Sequence, residues 1–378
     1  MLHHTSGQSF GSGGGWLTLF GYRSPFLIFN AVLSLLDQCY FMCLFFFISG
    51  YFTPRSYDKK GPKAFLRDKI KRLGIPFLLY LLVIGPLMQC FIALVVAKDG
   101  GYEYKPDPGP SWFLAWLLLL NSCYCLIGGA PLVACPRPPL RNLILYYGIP
   151  LGLLQGVLQA ASMSFGGVFL FMPITFGSLP FNILFFTAGI IAGRNGWLDE
   201  MCPAAEARAA MAVTVAIGVA TIALSFSFYY RIPYDTPLQS NLDAPEPPME
   251  LLVIVMLVMH VCYGIATFAI SFCVLDVFQR YGGNDKPGAI GRFLARAAYA
   301  VYLIHPWVLV LVTWSAGAAV SAEPVYERYG AGATSRAYPD GGDRTKWLAF
   351  ICTAFLTQLA VWPLGGAVCR LPGVNRVL

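Results

Sequence analysis

Charge is what this sequence has least of. Only 12% of its 378 residues are Asp, Glu, Lys or Arg, about half the share a soluble domain carries, which excludes a mostly water-facing surface. Histidine is scarcer still, with four residues at positions 3, 4, 260 and 305. No C-x-x-C pair occurs among the eleven cysteines, so a zinc site has no support. Most of the cysteines (Cys39, Cys43, Cys90, Cys262, Cys273, Cys352) lie inside apolar runs, where a thiol behaves as a small hydrophobe. There is no G-x-x-x-x-G-K, and no G-x-G-x-x-G leading into a βαβ pattern. "GQSFG" at 7–11 fits G-x-S-x-G, but the strand before it and the helix after it, which that motif requires, are lacking. The opening "MLHHTSGQSFGSGG" has no apolar h-region, so no cleavable signal peptide is expected. No internal repeat is found.

What is present is length and apolarity. Hydrophobic residues make up 57% of the chain. Runs such as "FNAVLSLLDQCYFMCLFFFISG" and "MELLVIVMLVMHVCYGIATFAISFCV" reach the roughly 20 residues that cross a hydrocarbon core of about 30 Å. Tryptophan and tyrosine gather near the run ends, as interfacial aromatics do. Full spans are read near 28–52, 74–96, 111–129, 143–163, 179–194, 208–229, 250–278, 296–318 and 347–366. The fold class is therefore all-α, a polytopic transmembrane helical bundle. It has about nine full spans and the remnant of a first one, in a single domain over 1–378 whose residues 1–25 are that remnant and an outer loop.

The 26 basic residues divide unevenly between alternate connections, eighteen against eight. That asymmetry makes the richer side cytoplasmic and places the C-terminus there, as a multi-pass integral membrane protein. It also accounts for the net charge of +7 without nucleic acid. The richest connection, 54–73, carries +6, whereas 230–250 carries −3. Within "FLRDKIKRLGIP", Lys69 and Arg72 stand three residues apart, on one face if helical, with Arg67 beside them. Cations so placed can hold the phosphates of an anionic ligand; a plain juxtamembrane charge patch is the alternative.

The segments "LFFFISGYFTPRSYDKKGPKAFLRDKIKRLGIP", "GPSWFLAWLLLLN", "FFTAGIIAGRNGWL", "AAYAVYLIHPWVLVLV" and "LPGVNRVL" together resemble the acyltransferase 3 family, in order and over nearly the whole chain. The closest branch looks like the glucan-succinyltransferase type. The resemblance implies about ten spans and an acyl-CoA-dependent O-acyltransferase acting on glycans or other hydroxyl acceptors. Acyl-CoA would be the donor substrate, and no permanently bound cofactor or metal is implied. It also implies a histidine in the first span, preceded by a basic residue about eleven positions upstream. "LHHTSGQSFGSGGGW" resembles the end of that element, with His4 the better match and His3 the second. The chain departs from the pattern in three places. It starts three residues before His4, it has Lys69 where arginine is usual, and it has Ala115 where an acidic residue is frequent. Lysine keeps the charge but loses the bidentate fork.

Acyl transfer from a thioester to a hydroxyl needs a base for the alcohol proton and donors for the oxyanion. Histidine suits the first task, so His4 is the expected base, a solvated terminal histidine being the alternative. Ionisable groups inside spans are functional candidates by default. Asp37 would orient or pair with a histidine, or make a helix–helix hydrogen bond. His305, in "YLIHPWV", is either a site residue or a bridge to a carbonyl freed by Pro306. His260 is the weakest of the three. Ser49 and Gly50 read as packing residues. The function expected is O-acylation of an acceptor at the outer or luminal side. The alternatives are a non-catalytic transporter or lipid-handling protein, and an inactive truncated member of the family. A transporter of inverted halves would show a symmetry that this sequence lacks.

Overall fold

The computed structural model describes residues 4–5, 25–96, 101–129, 134–162, 168–169, 172–173, 179–199, 202–231, 249–282, 288–319 and 343–374. Among these, nine helical stretches follow the nine expected apolar segments. They are α1 (Pro25–Lys60), α2 (Pro62–Val96), α3 (Trp112–Leu126), α4 (140–162), α5 (Leu179–Asn195), α6 (Ala204–Arg231), α7 (Met249–Tyr281), α8 (Ala289–Ala319) and α9 (Asp343–Val368). Six of them (α2, α3 together with the 3-10 turn Gly109–Ser111 that leads into it, and parts of α6 to α9) give a stretch long and apolar enough to cross a membrane. The extended pairing among the described residues is one two-residue antiparallel ladder, Val168–Phe169 with Met172–Pro173. The protein is an all-helical integral membrane protein.

Helix ends follow from residue chemistry. Gly61, at φ 71°, closes α1 with its N–H on the Tyr57 carbonyl at 2.8 Å, and Pro62 opens α2. A left-handed glycine followed by proline is an economical way to stop one helix and start another. Helix α5 stops in the same manner. Gly196 takes φ 66° and the Trp197 N–H returns to the Ala192 carbonyl at 3.1 Å, the six-to-one bond of a Schellman end. The expected loop 54–73 is thus largely helical, because α1 runs on past its apolar segment to Lys60.

The chain divides into two compact units. The first comprises 1–34, 70–115 and 285–378. In it, α8 packs on α9 through Ala297, Val301 and Val308 against Val361, and α8 packs on α2 through Leu309 and Val310 against Met88 and Ile92. Helix α2 is interrupted by π-helical turns at Ile70–Gly74, Tyr80–Ile84 and Ile92–Val96. Two of them precede prolines, Pro76 and Pro86, which have no N–H to offer the carbonyl four residues back. In an apolar environment each freed carbonyl needs another donor. The Tyr299 hydroxyl takes the Arg72 carbonyl and the Tyr104 hydroxyl takes that of Leu82, the latter at 2.9 Å.

The second unit comprises 35–69 and 116–284. Helices α1 and α5 meet backbone to backbone at Gly50, Gly189 and Gly193. Thr53 bridges from the Ser49 carbonyl to Asn121 of α3. Arg194 pairs with Asp58, with one N–H to carboxylate contact at 3.0 Å, and also donates to the Tyr124 hydroxyl at 3.0 Å. Gly50 therefore serves close packing, as its place in "FISGYF" indicates.

The charge asymmetry leads to one expected result. A cysteine replacing the exposed Lys63, in a background without the native cysteines, should resist membrane-impermeant maleimide in sealed cells and react after permeabilisation. Labelling in sealed cells would reverse the topology. Lys63 is the better site than Gly61, whose positive φ would strain any side chain.

Candidate active site

Within the first unit the structure brings together two of the predicted site residues. The rings of His4 and His305 lie 4.8 Å apart between centroids, tilted by 36°. His305 is 4% exposed, and Thr5, next to His4, is fully buried. His305 owes its place to the proline that follows it. Pro306 cannot donate to the Tyr302 carbonyl four residues back, and His305 Nδ1 sits 2.6 Å from that oxygen. A carbonyl only accepts, so Nδ1 carries the proton and Nε2 holds the lone pair of the neutral ring. The two roles considered for His305 are thus compatible: it bridges the proline-freed carbonyl, and by doing so fixes its own tautomer and aims its other nitrogen.

An aromatic wall backs the pair. Tyr302 stands 6.2 Å from the His305 ring, packs edge-on against Phe113 at 6.3 Å, and donates its hydroxyl to the Pro110 carbonyl. Tyr299 stacks parallel to Tyr302 at 6.4 Å. Tyr80 belongs to the same cluster, fully buried, and its hydroxyl has no hydrogen-bond partner among the described residues. Gly109, at φ 42°, lies against that phenol, and a Cβ there would stand 2.9 Å from its oxygen. Asp107 holds this loop by accepting from the Gly109 N–H at 2.8 Å and from Gln89 at 3.0 Å. Tyr80 was not among the sequence candidates. Tyrosine in an apolar run reads as core, and no spacing rule singles out one whose hydroxyl goes unsatisfied.

The other predicted residues lie apart or outside. His3 lies outside the described residues. Asp37, half-buried on α1, belongs to the second unit. His260 is there too, its carbonyl and Val261 closely approached by Gly152 of α4. Of the three expected phosphate-binding cations, Arg67 is exposed, and Lys69 is half-buried with its ammonium 5.3 Å above the Phe65 ring, both in the second unit. Arg72, exposed, opens the first unit's share of α2, its carbonyl held by Tyr299. Among the described residues no three His, Cys, Asp or Glu side chains gather as a metal site would need.

Among the described residues, six apolar helical stretches long enough to cross a membrane define an integral membrane protein, in which an imidazole pair is set at a proline break. The chain belongs to the acyltransferase 3 family, whose model, described as an acyltransferase domain, matches residues 1–365. No curated protein and no solved structure matches it.

Proposed function

We propose that this membrane acyltransferase moves an acyl group from acyl-CoA to a hydroxyl of a glycan or similar acceptor, as a glucan-succinyltransferase-like member of its family. The observation that carries this reading is the contact between the His4 and His305 rings. His4 takes the acceptor's hydroxyl proton as its oxygen attacks the thioester carbonyl. The carbonyl oxygen becomes an oxyanion, which a hydrogen-bond donor must stabilise. Collapse breaks the C–S bond, and the imidazolium returns its proton to the departing thiolate, giving an ester and the CoA thiol. His305 acts as a positioning residue, stacked on the base and anchored through its own Nδ1–H.

The test uses purified full-length protein in nanodiscs, supplied with acetyl-CoA or succinyl-CoA and a β-glucan oligosaccharide. Release of CoA thiol together with an acylated oligosaccharide supports the reading. Thioester turnover absent with both donors, while the protein remains folded, would overturn it.

The donor's phosphates are assigned to Lys69 and Arg72, with Arg67 beside them. Replacing Lys69 and Arg72 together by Gln should weaken acyl-CoA binding by about tenfold or more, since charge-assisted contacts to phosphate are among the strong ones. Binding to the unaltered protein should weaken with added salt. Calorimetric titration with acyl-CoA gives both readings, and unchanged affinity would reduce this stretch to a topology signal.

A further inference from the structure

One face of α1, in the second unit, changes its chemistry abruptly, and the acyl-transfer reading does not use it. Phe45, Ile48 and Phe52 are 50%, 37% and 58% exposed. Arg55 and Lys59, the next residues at steps of three and four, are exposed as well. At about 100° per residue these five side chains fall within an arc of about 80°. The packed side of the helix lies elsewhere: Phe46 and Thr53 are fully buried, and Gly50 meets the backbone of α5. A single stripe about 21 Å long thus runs from apolar side chains without protein cover into two cations.

The protein does not neutralise those cations. The nearby carboxylates are engaged elsewhere. Asp58 holds Arg194, with one contact at 3.0 Å, and Asp68 accepts from Lys60 at 2.7 Å. Among the described residues Arg55 and Lys59 take part in no ion pair. Like charges four residues apart on a helix repel, and an anion set between them turns that repulsion into attraction. In an integral membrane protein the uncovered apolar part of the stripe faces acyl chains. The cations that continue it stand where that apolar layer ends, at the level of the headgroups.

We propose that Arg55 and Lys59 together hold the headgroup of an anionic phospholipid whose chains lie along Phe52, Ile48 and Phe45. Charge and position both select this occupant. A zwitterionic phospholipid carries its own ammonium and leaves the pair uncompensated, whereas a soluble anion gains nothing from the apolar stripe. An anionic lipid meets both parts, its phosphate oxygens accepting from guanidinium and ammonium while its chains cover the phenyl rings. The site does not rest on the histidine pair. Its readout is lipid preference rather than turnover, so either proposal can fail alone.

The test uses full-length protein with the native cysteines replaced and a bimane fluorophore on Phe52→Cys. Nanodiscs of dioleoyl phosphatidylcholine are prepared with increasing fractions of chain-brominated phosphatidylglycerol or chain-brominated phosphatidylcholine. Bromine quenches on contact, so the two curves give the lipid preference at that face. Phosphatidylglycerol should be preferred by about fivefold or more, the effect of a basic residue beside anionic lipid, and the preference should shrink with added salt. Arg55→Gln combined with Lys59→Gln should bring it to unity. Lys63→Gln, which removes an exposed cation of α2, should leave it unchanged. Melting temperatures matching the parent's in phosphatidylcholine alone show that the variants keep the fold, and the salt dependence tests the site without any change to the cations. Equal quenching by the two lipids, or a preference indifferent to salt, overturns the site. An equal loss in Lys63→Gln also overturns it, reducing the pair to diffuse surface charge. Loss of the preference on adding free coenzyme A does the same, by handing the two cations to a soluble phosphate.

Discussion

His4→Ala is expected to lower acyl transfer by about 10²–10⁴-fold, the usual contribution of a general base, while acyl-CoA affinity stays within about twofold. The two readings separate because the base acts on the acceptor's proton, whereas the donor's affinity is assigned to its phosphates. His305→Ala is expected to lose transfer as well, by a different route. It strips the Tyr302 carbonyl of its donor beside Pro306, and an unsatisfied buried carbonyl costs about 1–3 kcal/mol. It also removes the ring against which His4 rests. Loss of thermal stability should therefore accompany the loss of rate in His305→Ala but not in His4→Ala. Transfer assays and melting curves on both variants in nanodiscs check this. If His4→Ala retained full transfer while His305→Ala lost it, His305 Nε2 would take over as the base.

How much of this was legible in the sequence differs by residue. The helical segments were plain, because an apolar run of about 20 residues has few alternatives in a bilayer. His305 was found because histidine is costly in a span, and its link to Pro306 follows from the fixed four-residue step of the helix. The pairing of His305 with His4 was not legible, since 300 residues separate them and no periodicity connects the two. The same holds for Tyr80. It sits in a run where tyrosine is unremarkable, and only the packed structure shows that its hydroxyl goes unsatisfied. The extension of α1 to Lys60 was missed because charge was read as loop, although lysine and arginine are good helix formers. The partners of Arg194, Asp58 and Tyr124, were hidden likewise by sequence distance.

The α1–α5 contact gives a further expected result on stability. A Cβ on Gly189 would stand 2.1 Å from the Phe47 carbonyl oxygen and 2.9 Å from both its carbon and the Tyr51 nitrogen. One on Gly193, four residues on, would stand 2.2 Å from the Tyr51 carbonyl oxygen, and one on Gly50 would stand 2.1 Å from that of Phe186. These obstacles are backbone atoms of a packed helix, so no rotamer change relieves them. Small residues four apart let helix backbones approach where lipid supplies no hydrophobic drive for association, and van der Waals contact is gained only if nothing intervenes. Gly189→Ala should therefore destabilise the protein by about 1–3 kcal/mol, the usual cost of overpacking. Gly218→Ala on α6 is the control, because a Cβ there meets nothing within 4 Å. On helix propensity alone it should be neutral or stabilising by up to about 1 kcal/mol. The two identical substitutions should thus move thermal stability in opposite directions, read by melting in the same nanodiscs. A Gly189→Ala protein as stable as the Gly218→Ala protein would mean that α1 and α5 do not meet at these glycines.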